Sequence, residues 1–153
     1  MGTTGLNHQS QCVTFKLAHN LIGVNILDIR EIVPCRRIAR IAQAPEFVLG
    51  LMNLRGQILT VLDIGVLLGL DIRTVHEGSH VIIFKRNPVG FIVDKIGDVV
   101  GIDRDQVGAV PANIAPGIQD YMEGILTLPE DILMLLDAKR ILSASILHTQ
   151  GEV

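Results

Sequence analysis

The residues most suggestive of chemistry are His76-Glu77-Gly78-Ser79-His80, whose spacing matches a zinc helix: two histidines one turn apart ligate the metal and the glutamate between them acts as a base. Their neighbours oppose that reading. Gly78-Ser79 disfavours a helix, Val81-Ile82-Ile83-Phe84 reads as a strand, and no later Glu or His stands where a third ligand is needed. A solvated connector is expected, with a small metal-dependent hydrolase as the competing reading. Asp103-Arg104-Asp105-Gln106-Val107-Gly108 opens like a calcium loop, but Val107 takes the third acidic position and no Glu follows at the twelfth, so a turn is expected. Glu130 and Asp131 are adjacent, which on a strand points them to opposite faces, and they read as hairpin-tip charges. There is no Gly-rich phosphate loop and no Gly-x-Ser-x-Gly elbow. No catalytic residue, cofactor, metal or small-molecule substrate is therefore expected.

Arg55 stands apart. It lies between Leu54 and Gly56 in one of the most apolar stretches of the chain, where a buried guanidinium must be paired. Glu31, between Arg30 and Ile32, is the other charge in such a setting. The two are expected to pair. Removing Glu31 would then be strongly destabilising if the pair is buried and much less so if it is exposed. An Arg in a solvated turn is the competing reading.

These residues need a scaffold. The chain has 153 residues, room for one domain or a close pair of small ones, and 48% are hydrophobic against 19% charged, which excludes a disordered chain. With aromatics at 3% and no Trp, the core must come from Ile, Val and Leu, which favours sheet. A formal net charge of −3 removes the positive field that nonspecific nucleic-acid or anionic-membrane binding needs. So few aromatics also argue against a barrel that stacks single-stranded bases. The longest apolar stretch, 58–70, is interrupted by Asp63 and two glycines and is too short to span a bilayer. Cys12 and Cys35 match neither a redox pair nor a zinc pattern and read as core residues. The first residues lack the cationic and apolar regions of a signal peptide, so a cytoplasmic protein is expected.

Alternating apolar residues predict a hairpin over 12–18 and 21–26, with His19-Asn20 at its turn. Residues 28–33 fit a helical turn or the entry to a strand, ended by Pro34. Pro45, Glu46, Phe47, Val48 and Leu51 predict a short helix, which Gly50 weakens. A link at 53–56, a buried strand over 57–64 and a helical turn over 65–70 follow. After a polar connector at 71–80 the second half repeats the rhythm of the first. Strands are expected at 80–86, 89–94, 97–102, 121–128 and 131–137, a loop at 111–120, and a last helix over 138–148 capped by Asp137. Many short strands at near-regular spacing indicate small barrels. Residues 1–10 read as a loose arm.

Gly50-Leu51-Met52-Asn53-Leu54-Arg55-Gly56-Gln57-Ile58-Leu59-Thr60-Val61-Leu62-Asp63-Ile64 resembles the signature of the CheW-like chemotaxis adaptor family, built on Asn-Leu-Arg-Gly and an apolar-Asp-apolar close. Asp28-Ile29-Arg30-Glu31-Ile32 resembles its apolar-x-Glu-Ile element, and Ala44-Pro45-Glu46-Phe47 its Ala-Pro-x-Phe helix. Residues 89–100 resemble its Gly-apolar-apolar-Val-Asp stretch, and 121–136 its closing hairpin. The likeness spans about residues 11–142, read as a single domain of two subdomains, with 143–153 as the end of the last helix and a tail.

The resemblance implies a mostly β protein of two intertwined five-stranded SH3-like barrels with short helices and a C-terminal helix. It implies no catalysis. Such a protein couples transmembrane chemoreceptors to a CheA-type histidine kinase in the cytoplasm, reaching receptor arrays through its partners and not by membrane insertion. The receptor's helical hairpin tip would lie in a groove between the barrels, and the kinase's regulatory domain against a barrel face. Carried onto this chain, the resemblance associates Glu31, Arg55 and Asn53 with the groove or its support. Ile29 and Val33 would line it, and Gly50 and Gly56 would allow close approach or a tight turn. Relatives serve twitching motility and other chemosensory pathways, and a detached kinase regulatory domain is a further reading. Thr60 stands where the family usually has Pro, which would return an amide donor to a strand edge and alter what docks there.

Overall fold

The computed structural model describes residues 9–114 and 116–143. The strands are β1 Gln9–Leu17, β2 Asn20–Asn25, β3 Ile29–Pro34, β4 Val48–Leu54, β5 Gln57–Leu62, β6 His80–Phe84, β7 Val89–Val93, β8 Lys95–Asp103, β9 Met122–Thr127 and β10 Ile132–Leu136. They form two five-stranded sheets, the first in the order β8-β1-β2-β10-β9 and the second in the order β3-β6-β7-β5-β4. The chain starts in the first sheet, builds all of the second, and returns to finish the first. The two units are therefore intertwined, as expected. Among the described residues there are also three one-turn helices, α1 Ile64–Leu67, α2 Pro116–Gln119 and α3 Ala138–Leu142.

The apolar runs explain the layering. Val81, Ile82, Ile83 and Phe84 of β6 are all buried because the strand is covered on both faces. Ile82 and Phe84 join a core shared between the sheets, with Phe15, Ile22, Leu62, Phe91 and Leu136, whereas Val81 and Ile83 face a second cluster with Leu59, Val61 and Ile92. Phe84 and Phe91 meet edge to face, their ring centroids 4.5 Å apart. Cys12, Ile102, Leu133 and Leu135 form the first sheet's own cluster. Both cysteines are buried free thiols, and burial, with the charge of Glu123, pushes Cys12 up to about 11.

Several expectations change. No helix follows Pro45; β4 begins at Val48. Leu51 exchanges two backbone hydrogen bonds with Ala39, each 2.8 Å, and Gly50 sits at φ +154, where a Cβ would overlap the Ala39 carbonyl oxygen. Gly50 is thus a close-approach residue in a bulged strand, not a flaw in a helix. Gly97 lies inside β8, packed over Thr14, and does not break the strand. β1 begins at Gln9, inside the span read as an arm, and residues 1–8 lie outside the described ones. The last helix ends at Leu142, and residues 144–153 also lie outside. Thr60 is on no edge, because β5 runs between β7 and β4, and its amide donates to the Pro88 carbonyl at 2.9 Å.

Candidate functional site

β3 and β4 are the two edges of the second sheet. On β3, Ile29 pairs with Phe84 and Glu31 with Ile83, so Arg30 is the extra residue of a bulge. The bulge changes the face on which the following side chains project. Ile29 and Ile32 pack on the shared core, while Val33 packs on the second sheet's own cluster and Glu31 lies on that same side, opposite Ile83. Ile29 is therefore separated from Glu31 and Val33.

β4 turns into β5 through Arg55 and Gly56 alone, at φ 51 and φ 89, a pair of left-handed residues that defines a type I′ turn. Gly56 adopts this freely, and its amide donates to Asn53 Oδ1 at 3.0 Å. For Arg55 the same conformation costs about 1–2 kcal/mol. It directs the guanidinium at Glu31, with Nη2 at 2.7 Å from both carboxylate oxygens. Arg30 Nε donates to Glu31 Oε2 at 3.1 Å and Arg30 Nη1 to Gln57 Oε1 at 2.8 Å. This network ties β3 to the hairpin tip across the two sheet edges.

The expected Glu31–Arg55 pair is present but not buried: the Arg55 side chain is 65% exposed and that of Glu31 26%. Its own contribution to stability is accordingly small. The hydrogen bonds from Arg55, followed by the charges of Arg55 and Arg30, outweigh residual desolvation and hold the Glu31 carboxyl below the usual range.

Beside the pair opens a cleft of about 630 Å³. Val33, Pro34, Met52 and Leu54 supply its apolar walls, and Arg36, Arg37 and Arg55 its basic rim, with Asn53 between. The structure thus brings together Glu31, Val33, Asn53, Arg55 and Gly56. Gly50 lies further along β4, and Ile29 turns away. A separate cleft of about 590 Å³ is bounded by Leu27 after β2, Phe84 at the end of β6, and Lys139 and Leu142 of α3, and none of the expected residues lines it. Pro34, Arg36, Arg37, Met52 and Leu54 were not anticipated as cleft residues. The one sequence signal for them is the unusual Arg36-Arg37 pair directly after Pro34.

The zinc-like motif forms a turn, not a helix. His76 and Ser79 close it with bonds of 2.9 and 3.0 Å, His76 Nδ1 accepts from the Gly78 amide, and His80 Nδ1 lies 2.9 Å from the Gly78 carbonyl. Among the described residues no three His, Cys, Asp or Glu side chains gather where a metal ion could sit. Asp103 caps a 3-10 turn as expected, accepting from the Asp105 amide.

A second charged cluster is structural. Asp63, fully buried, caps α1 and accepts the Arg73 amide at 2.6 Å; burial pushes its carboxyl up, against the opposing pull of Arg73. The Arg73 side chain, 7% exposed, donates to the Asp71 carbonyl and ion-pairs with Asp94 at 3.5 Å. Asp94 in turn accepts the Ala18 amide from the β1–β2 turn. The connector is thereby fastened where the chain crosses between sheets.

A family model described as CheW-like domain matches residues 11–145. The chain is 31% identical to the chemotaxis protein CheW of Klebsiella aerogenes over 132 residues, covering 85% of this chain and 80% of that protein. It is 26% identical to the chemotaxis protein CheW of Treponema pallidum, covering 90% and 85%. The crystal structure of the scaffolding protein TtCheW from Thermoanaerobacter tengcongensis superposes with a TM-score of 0.74 at 30% identity, over 84% of each chain. With its intertwined five-stranded sheets and a match along nearly all its length, this chain belongs to the CheW-like domain family.

Proposed function

We propose that the protein is a noncatalytic chemosensory adaptor that couples chemoreceptors to a CheA-type histidine kinase, and that the cleft beside Arg55 seats the receptor's helical hairpin tip. The observation that carries this reading is an exposed arginine held in a left-handed backbone conformation over apolar walls. The two-residue turn demands a left-handed residue at this position, and an arginine there in place of a strain-free glycine has a side chain of fixed direction beside the cleft. Family membership places the chain among scaffolds and not among enzymes.

In this reading Val33 supplies apolar wall to an amphipathic helix, while Glu31 and Arg55 hold β3 and the tip at a set separation. Asn53 and Gly56 shape the turn, Gly50 admits the segment around Ala39 against β4, and Ile29 anchors β3 from the core side. The kinase's regulatory domain would occupy another face, with residues 11–142 acting as one unit. No helix among the described residues is long and apolar enough to cross a membrane. Recruitment to receptor arrays would then run through the partners, in the cytoplasm. Calorimetric titration against a receptor hairpin-tip fragment and a kinase regulatory domain from the same organism tests the reading. Saturable binding to both is expected, and binding to neither would overturn it.

A further inference from the structure

We infer that the receptor segment seated in the cleft carries carboxylates opposite Arg36 and Arg37, an inference that rests on the adaptor reading above. The chain is acidic overall, with a formal net charge of −3, yet residues 30–57 hold five arginines, Arg30, Arg36, Arg37, Arg40 and Arg55, against Glu31 and Glu46. Three of these five, Arg36, Arg37 and Arg55, line the cleft, and among the described residues no Asp or Glu does. Arg30 and Arg55 already share Glu31. Arg36 and Arg37 are exposed, stand on the cleft rim, and have no carboxylate at ion-pair distance among the described residues. Apolar walls under an uncompensated basic rim complement a helix whose apolar stripe is flanked by Asp or Glu. The apolar walls supply affinity, and the rim supplies selection and encounter rate. An extended polyanion such as nucleic acid fits less well, because Val33, Pro34, Met52 and Leu54 offer it nothing.

The test compares the wild type with R36E/R37E and R36K/R37K in titrations against the receptor hairpin-tip fragment, at low and high salt. Both positions are exposed, so folding is retained, and unchanged binding of the kinase regulatory domain confirms it. The charge reversal is expected to weaken receptor binding at low salt by roughly tenfold or more, and to abolish most of its salt dependence. R36K/R37K should keep most of both. A fragment with its Asp and Glu changed to Asn and Gln should lose salt dependence against the wild type. Unchanged affinity and salt response in R36E/R37E would overturn the inference while leaving the adaptor reading intact. Failure of the wild type itself to bind the fragment would instead remove the seating of the receptor tip in this cleft and the inference with it, and failure to bind the kinase domain as well would remove the adaptor reading.

Discussion

The hairpins β4–β5 and β9–β10 are counterparts in the two sheets, and their resemblance stops at their tips. Gly50 and Gly124 lie at φ +154 and +155, each next to a residue that exchanges backbone bonds with a distant segment, Leu51 with Ala39 and Ile125 with Gly108. At the same spacing beyond each glycine, Asp63 and Asp137 cap one-turn helices. The tips themselves differ: Leu54-Arg55-Gly56-Gln57 in one, Leu128-Pro129-Glu130-Asp131 in the other. Arg55 is left-handed and directed at Glu31, whereas Glu130 has no positive φ, and Asp131 binds its own neighbour's amide and Lys16. What both hairpins share is what the fold requires. The two-residue turn of β4–β5 requires a left-handed residue at position 55, but not an arginine there, and in the proposed reading that arginine serves the binding surface.

The two hairpins differ most in the charges beyond them, buried at Asp63 and Arg73 and half-exposed at Asp137 and Arg140. Arg73→Met should cost about 3–5 kcal/mol in chemical denaturation, because it removes a buried cation that ion-pairs with Asp94 and whose charge also favours the buried Asp63 carboxylate. Arg140→Met should cost roughly 0–1 kcal/mol, because the guanidinium that pairs with Asp137 is exposed where that of Arg73 is buried. Gly50→Ala and Gly124→Ala should each cost about 2–4 kcal/mol, since both would overlap a backbone carbonyl oxygen. A loss at only one of the two glycines would refute their equivalence.

A smaller effect lies in the pH dependence. Burial raises the Asp63 carboxyl, so between the ordinary carboxylate range and the raised one the folded chain keeps a proton that the unfolded chain has released. Stability therefore falls as pH rises through that window, and Asp63→Asn should remove this component of the slope in denaturation curves taken across it. Glu31 has the opposite sign. Its carboxyl is lowered, so its pairing with Arg55 should persist as pH falls below the usual carboxylate range, readable by NMR titration of the Glu31 side chain. Arg55→Gly should change stability least, raising it by up to about 1 kcal/mol as the left-handed backbone is relieved and an exposed ion pair is lost.

Sequence patterning reveals the strands well where one chemistry dominates, as in Val81-Ile82-Ile83-Phe84, buried on both faces. It misleads at Pro45 to Leu51, where a bulge breaks the alternation of β4 and leaves a spacing that also fits a helix. The partnership of Glu31 and Arg55 is legible because two charges in apolar stretches need one another. Their exposure is not, since it follows from an edge strand and a two-residue turn that no local pattern records. The bulge at Arg30 is equally silent, which is why Ile29 and Val33 read as neighbours on one groove yet project to opposite sides. Arg36 and Arg37 carry no periodicity and gain meaning only once β3 and β4 flank a cleft.

The most direct measurement of the distinction between the two tips is binding of the receptor hairpin-tip fragment to wild type and Arg55→Gly, with thermal unfolding of both proteins recorded alongside. The expected result is a variant at least as stable as the wild type that binds roughly tenfold or more weakly. Unchanged binding in the folded variant, or a substantial loss of stability, would contradict the assignment of Arg55 to recognition.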